Sequence, residues 1–304
     1  MQKRLLLIIN PTAGVKSANR HLTSIVSLFN AHGYICTVYC TAGHGDAARI
    51  ASENAGSFDL VVCIGGDGTL NEVLAGMVEQ GDKTPIGYIP SGSTNDFASS
   101  LGLSRNILTA AKDAVEGTPI PLDAGHFNGR LFSYVASFGA FTEASYTTPQ
   151  RSKNLLGHLA YVLEGMKDML NIRPVHLALE TKSQRFEGEY IFGAVSNSTS
   201  IGGMLTLNKE FVAMDDGLFE ILLIKSPQNL SELNQIVVSI QTQQYDNEMI
   251  DFCLAERAVI SALPDMPWTL DGEYARGSTE IIIQNLHHAY NMVINDNKQR
   301  GSSL

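Results

Sequence analysis

The sequence predicts an α/β protein in two parts, a doubly wound domain followed by a mainly antiparallel, β-sandwich-like one. Three observations carry this. In the first part short apolar runs alternate with segments of helical period. Polar, glycine-bearing turns recur at the carboxyl ends of those strands, where open parallel sheets collect their ligands. The pattern changes near Thr118-Pro119-Ile120-Pro121, after which strand-like runs dominate, separated by Asn-Gly, Gly-Gly and Asp-Gly pairs. We place the boundaries at residues 1–123 for the first domain and 124–285 for the second, with 286–304 as a C-terminal segment.

Leu5–Ile9 is a buried strand that ends at Asn10-Pro11-Thr12-Ala13-Gly14, where Pro and Gly punctuate the chain. Ala18–His32 carries Leu22, Ile25, Val26 and Phe29 at helical spacing and stops at Gly33. Tyr34–Cys40 is a second strand, and its turn from Thr41 to Gly45 leads into a helix over Ala47–Asn54. The run from Leu60 to Ile64 reads as a buried parallel strand. It halts at Gly65-Gly66-Asp67-Gly68, and Thr69 to Val78 then forms a helix with Leu70, Val73, Leu74 and Met77 on one face. Pro85 to Pro90 is a short strand running into Ser91-Gly92-Ser93-Thr94-Asn95-Asp96. In the second part we expect strands at Arg130–Phe138, His176–Thr181, Phe186–Val195, Leu218–Lys225, Arg257–Ala262 and Glu280–Gln284. One helix interrupts them, Arg151–Asn171, whose apolar face is expected to pack on the sandwich rather than on lipid.

Composition narrows the function. With 44% hydrophobic and 17% charged residues the chain is an ordinary globular protein. Its apolar runs are too short to span a bilayer, and no signal peptide is recognisable at the N-terminus. Four cysteines without CxxC spacing read as reduced thiols. A net charge of −10 argues against nucleic acid as a partner and against broad adhesion to an anionic membrane.

A glycine turn between a strand and a helix N-terminus is an anion site, because unpaired N–H groups point at the ligand. The turns Asn10–Gly14, Thr41–Gly45, Gly65–Thr69 and Ser91–Asn95 are placed to converge on one nucleotide. Neither GxxxxGK[ST] nor a GxGxxG after the first strand is present, which disfavours a Walker-type NTPase and a dinucleotide dehydrogenase. Asp67, Asp96 and Asp123 lie near strand ends and are candidates for Mg²⁺, a hard ion that takes carboxylate and phosphate oxygens. Asp96 has an alternative reading as a helix N-cap, and Asp123 as a hydrogen bonder at the domain junction. Leu270-Asp271-Gly272-Glu273 reads by itself as a type I′ hairpin turn with a strand-start acid. Asp215-Asp216-Gly217 reads as a solvated turn, or as a cation held by Asp216 with backbone carbonyls. The eight histidines show no zinc pattern.

Taken together, Asn10-Pro11-x-Ala13-Gly14, Gly65-Gly66-Asp67-Gly68-Thr69-Leu70-Asn71-Glu72-Val73, Pro90-Ser91-Gly92-Ser93-Thr94-Asn95-Asp96-Phe97-Ala98 and Asp271-Gly272-Glu273 resemble the bacterial diacylglycerol kinase-like lipid kinases. These are relatives of the sphingosine and ceramide kinases and, through Gly-Gly-Asp-Gly-Thr, of NAD kinases. The resemblance covers nearly the whole chain. It implies a nucleotide-binding first domain, a β-sandwich-like second one, and a C-terminal segment that returns to the first. It implies that ATP contacts Asn10, Thr41, Gly65, Gly66, Asp67, Gly68, Thr69, Asn71, Glu72 and Ser93. Glu273 would be the general base toward a lipid hydroxyl. Asp67 would help hold a catalytic Mg²⁺, with Asp96 and Asp123 as further candidates. A structural Mg²⁺ would map to the Asp216 side chain with the Ala213 and Leu218 carbonyls. The chain departs from the family form Gly-Thr-x-Asn-Asp at Ser93, which keeps a hydroxyl, and carries Glu210 and Val212 where Pro and Ala are frequent. The implied setting is cytoplasmic, peripheral to the cytosolic face of a membrane, with a homodimer compatible with the resemblance. The alternatives are a kinase of a soluble nucleotide such as NAD, or a nucleotide- or lipid-binding module with little turnover.

Overall fold

The computed structural model describes residues 2–14, 17–139, 173–201, 205–208 and 212–295. In chain order the first part runs β1 (Lys3–Ile9), α1 (Ser17–Ala31), β2 (Tyr34–Cys40), α2 (Asp46–Asn54), β3 (Leu60–Gly65), α3 (Asp67–Glu79), β4 (Ile86–Pro90), α4 (Asp96–Ser100) and α5 (Ile107–Glu116). Strand β1 shows why this part is doubly wound. Leu5, Leu7 and Ile9 pack with Ile25 and Phe29 of α1 and Ala110, Ala111 and Ala114 of α5. Leu6 and Ile8, on the opposite face, pack with Ile50 of α2 and with Leu70, Val73 and Leu74 of α3. Both faces are therefore covered, and each buried Leu or Ile contributes roughly 1.5–3 kcal/mol of transfer free energy. The order β2-β1-β3-β4 is parallel throughout. All four strands point their carboxyl ends to the same edge.

The second part continues with β5 (Thr118–Phe127), β6 (Arg130–Phe132), β7 (Val135–Gly139), β8 (Val175–Glu180), β9 (Arg185–Ser196), β10 (Ser200–Ile201), β11 (Leu205–Thr206) and β12 (Phe219–Lys225). It ends with α6 (Leu230–Thr242), β13 (Ile250–Ala255), β14 (Arg257–Ser261), β15 (Pro267–Leu270), β16 (Glu273–Arg276) and β17 (Glu280–Ile294). Its pairings are antiparallel, apart from the single contact between β17 and β4. The core between the strands is aromatic. The indole of Trp268 lies 5.1 Å from the Phe127 ring and 4.9 Å from that of Phe138, tilted against both.

Strand β5 and helix α6 differ from expectation. Strand β5 includes Pro119 and Pro121, which the sequence treats as a junction. Over this stretch β5 pairs with β17 alone, and an edge strand tolerates proline because one side needs no N–H. Helix α6 is absent from the sequence reading. Its signal was present: Asn229 accepts from the N–H groups of Ser231 and Glu232, and Glu232 reaches back to the Gln228 N–H, a capping arrangement. The helix expected at Arg151–Asn171 lies outside the described residues.

Strand β17 is longer than expected and joins the two parts. Residues from Glu280 to Gln284 pair with β14, while Met292 pairs in parallel with Ile86 of β4. Between these stretches it bulges at residues 287–289, with His288 at φ 50°. The bulge is held from the first part by Lys83, whose ammonium donates to the His288 and Ala289 carbonyls at 2.7 and 2.6 Å.

The β15–β16 hairpin closes through Asp271 and Gly272 at φ 51° and 85°, the pair of left-handed residues a type I′ turn needs. Asp271 is more than a turn residue. Its buried carboxylate accepts from the N–H and hydroxyl of Ser133 at 2.6 and 2.8 Å, and from the N–H groups of Tyr134 and Val135 at 3.0 Å. Burial pushes the carboxyl up from its ordinary value, and those N–H groups pull it back. Asp271→Asn sets an amide NH₂ against these donors. It is expected to lower the unfolding free energy by about 1–3 kcal/mol in denaturant titrations. The only tryptophan, Trp268, is buried beside this hairpin and supplies the signal.

Candidate active site

The carboxyl-edge turns after β1, β2, β3 and β4 surround a cavity of about 410 Å³. It is lined by Asn10, Thr12, Ala13, Gly14, residues 41–44, Gly66, Gly68, Thr69, Glu72, Gly92 and Glu273. The turns meet because glycine lets their backbones touch. A Cβ on Gly92 would stand 2.6 Å from the Gly66 Cα, and one on Gly14 2.1 Å from the Ser91 carbonyl oxygen.

The floor is the first turn of α3. Its N-cap, Gly66, offers no side-chain cap. The N–H groups of the first turn therefore remain available to an anion, aided by the helix dipole. Asn10 braces this floor. Its Nδ2 donates to Thr69 Oγ1 at 3.0 Å, while its Oδ1 accepts from the Thr12 N–H and hydroxyl. Glu72 braces the wall. Its carboxylate accepts from the Gly45 and Ala47 N–H groups at 2.8 and 3.1 Å and lies 2.9 Å from His44 Nδ1. It thus satisfies the start of α2 and fixes the Thr41–Gly45 turn.

Of the residues the sequence groups around a nucleotide, Asn10, Thr41, Gly66, Gly68, Thr69 and Glu72 line the cavity. Gly65 is buried at the end of β3, and Asn71 is buried on α3 with its Oδ1 unpartnered. Ser93 is exposed on the turn after β4, off the cavity wall.

Asp67 opens α3 and is not among the residues that line the cavity. Its carboxylate accepts from the N–H groups of Asp96 and Phe97 at 3.0 and 3.4 Å, crosslinking α3 to the start of α4. Burial pushes this carboxyl up to about 6; the nearby Asp96 charge adds to the rise and the two N–H groups oppose it. The N-cap of α4 is Asn95, at φ 53°, and Asp96 is the first helical residue. Two adjacent carboxylates form a donor set that suits Mg²⁺.

Asp123 is not part of that pair. It is fully buried on β5, and its carboxylate accepts from the Gly217 N–H at 2.6 Å, the His288 N–H at 2.7 Å and His287 Nδ1 at 3.1 Å. Asp123, His287 and His288 offer ligand atoms within 4.8 Å of one another. Asp123 thus belongs with the Ala213–Leu218 turn. In that turn Gly217 has φ 80°, Asp216 Oδ1 accepts from the Leu218 N–H at 2.9 Å, and Asn285 Nδ2 donates to the Leu218 carbonyl at 3.2 Å. Asp216 and the Ala213 and Leu218 carbonyls would offer a cation oxygen atoms only, which is the chemistry that hard cations take.

Glu273 reaches the cavity from the second part. Its Oε1 would lie 3.2 Å from a Cβ on Gly68, so it stands over the first turn of α3. Its Oε2 accepts from Arg130 at 2.8 Å, and Arg130 also donates to the Tyr274 carbonyl at 3.0 Å. Arg130 was missed by the sequence reading. Only the tertiary pairing of residues 143 positions apart brings it to Glu273.

Comparison with known proteins shows the family of the chain. Residues 4–127 match the family model for the diacylglycerol kinase catalytic domain. The chain is 35% identical over 275 residues to a diacylglycerol kinase of Bacillus subtilis (strain 168), covering 90% of each chain. It is 30% identical over 276 residues to a diacylglycerol kinase of Staphylococcus saprophyticus, again over 90% of each. The chain belongs to the diacylglycerol kinase family. A crystal structure from Bacillus anthracis str. Sterne, provisionally described as a diacylglycerol kinase, superposes with a TM-score of 0.81 at 26% identity, covering 97% of this chain and 98% of that one. As a family member the protein is a phosphotransferase with an alcohol acceptor.

The contact between the glycine turns can be tested by stability. Gly92→Ala forces the turns apart and is expected to destabilise by about 1–3 kcal/mol. Gly188→Ala meets only ordinary contacts, at 3.7 Å, and is expected to leave the thermal midpoint unchanged or raised.

Proposed function

We propose that the protein transfers the γ-phosphoryl group of ATP to the hydroxyl of a membrane lipid, with diacylglycerol, named in its relatives, as the first acceptor to try. The observation that carries this reading is Glu273, a carboxylate from the second part held over the phosphate-binding start of α3.

The residues divide the work. Backbone N–H groups from Gly66 to Thr69 would receive the phosphates in a site where positioned donors cost little reorganisation. Asn10 and Glu72 hold the two turns that shape the cavity. Mg²⁺, held by Asp67 with Asp96, would supply neutralisation of the developing phosphate charge. The Glu273 carboxylate would accept the proton of the acceptor hydroxyl as its oxygen attacks phosphorus and the bond to ADP breaks. Arg130 orients that carboxylate from behind. Among the described residues no helix is long and apolar enough to cross a membrane. On this reading the protein meets its acceptor from the surface of the cytosolic leaflet.

Glu273→Gln is expected to lower turnover by roughly 10²–10⁴-fold. Binding of a non-hydrolysable ATP analogue should stay within a few-fold of wild type. Radiolabelled ATP with Mg²⁺ and mixed micelles of several lipid alcohols, run beside NAD as a soluble acceptor, provides the readout. Label in NAD and in no lipid would overturn the lipid assignment, and full turnover by Glu273→Gln would overturn the base. Arg130→Ala leaves Glu273 free to wander. It is expected to reduce kcat by on the order of tenfold to a hundredfold with little change in the KM for ATP, measured in the same assay.

A further inference from the structure

The two ends of the cavity differ in chemistry. No lysine or arginine lines it, while two carboxylates do, Glu72 and Glu273. Glu273 marks one end, where its Oε1 stands over Gly68 at the start of α3. The other end is the Thr41–Gly45 turn after β2. The strand order β3-β1-β2 sets that turn two strands away from the β3 turn, roughly 10 Å at ordinary strand spacing. A phosphate placed there would face the Glu72 carboxylate, and like charges repel. That end therefore suits the uncharged part of a nucleotide, the nucleoside, which carries hydrogen-bond donors.

His44 lines the cavity at that end. Its Nδ1 lies 2.9 Å from Glu72 Oε1. A lone pair on Nδ1 would face the carboxylate's charge, so the neutral ring keeps its proton on Nδ1. Nε2 is then an acceptor, and it has no partner among the described residues. The side chain is 81% exposed, which leaves this nitrogen open to a ligand. The turn itself does not need the imidazole. Glu72 is anchored by the Gly45 and Ala47 N–H groups at 2.8 and 3.1 Å, and Asp46 accepts from the Ala42 N–H at 2.9 Å. Glu72 thus orders the turn without His44 and orients the ring in addition.

We propose that His44 is a specificity residue for the nucleoside of the phosphate donor. Its Nε2 accepts a hydrogen bond from a donor group there, the exocyclic amino group of adenine or a ribose hydroxyl. Glu72 acts through His44 as a positioning residue that fixes the tautomer. Where the amino group is the donor, guanine is disfavoured, because it sets a carbonyl oxygen against the Nε2 lone pair. This role rests on the reading of the cavity as an ATP site, and it does not depend on which acceptor receives the phosphate.

The test is calorimetric binding of nucleoside diphosphates with Mg²⁺ to the full-length protein at about pH 8, above the range in which imidazoles ordinarily titrate. The ligands are ADP, its 2′-deoxy and 3′-deoxy forms, and purine riboside diphosphate, which lacks the amino group. His44→Phe keeps a flat ring at an exposed position and removes the acceptor. It is expected to weaken ADP about three- to tenfold, the range of one neutral hydrogen bond. Wild type should lose a similar factor on one analogue only. Loss on purine riboside diphosphate names the amino group, and loss on a deoxy form names that hydroxyl. His44→Phe should bind that analogue and ADP within about twofold of each other, a coupling that a merely structural role would not produce. His44→Phe with ADP affinity within twofold of wild type would overturn the proposal. An equal loss by the variant on ADP and on every analogue would overturn it too, since the turn and not an accepted bond would then be at fault. Absence of binding by any nucleotide would overturn this role and the ATP reading together. The expected binding pattern without phosphorylation of any lipid leaves the role of His44 standing and counts against the lipid acceptor alone.

Discussion

The backbone contact between Gly66 and Gly92 is the constraint from which the site follows. Two βα turns on neighbouring parallel strands approach so closely that Gly92 can carry no side chain at the contact, and Gly14 is barred in the same way by Ser91. Only then do four turns share one cavity and leave the start of α3 open to a ligand. The covered faces of β1, β3 and β4 hold the strand ends in register, so apolar burial positions the polar edge. On the proposed reading an acidic protein binds a polyanion without a P-loop lysine. Fixed N–H groups would then do the local work that net charge does not.

A cavity made by one domain does not by itself transfer anything. The acid that stands over it belongs to a distant part of the chain and is carried on a hairpin. Asp271 makes that hairpin rigid by binding four donors around Ser133, Tyr134 and Val135. Arg130 then fixes the side chain of Glu273 itself. Strand β17 ties the two parts together, with Lys83 holding the bulge where it changes partners. The carboxylates of the molecule thus have separate duties. Asp67 joins two helices beside the cavity, Glu72 orders a turn, Asp271 anchors a hairpin, and Asp123 holds the Ala213–Leu218 turn through Gly217.

Local pattern made the doubly wound part legible, along with most of its turns. Apolar runs, helical spacing and glycine punctuation each report on the few residues around them. The type I′ turn at Asp271-Gly272 was readable for the same reason. Helix α6 carried a readable capping signal and was passed over. The residues seen around the cavity are those whose type is demanded by backbone geometry or by phosphate chemistry, such as Gly66, Gly68 and Asn10.

What the sequence by itself determined is the fold class, the glycine turns and the set of acids. Tertiary structure decided what each acid does. Asp123 looked like a partner of Asp67 and Asp96 because all three lie near predicted strand ends. It turns instead to Gly217, His287 and His288 because β5 pairs with the bulged β17. Glu220 showed no sign in the sequence of being the fully buried acid whose carboxyl burial pushes up to about 9. Its environment is set by β9 and β13 on either side and by Asp216 on the adjoining turn. The physical reason is common to both. A carboxylate's role depends on its desolvation and on the donors around it, and long-range pairing fixes both.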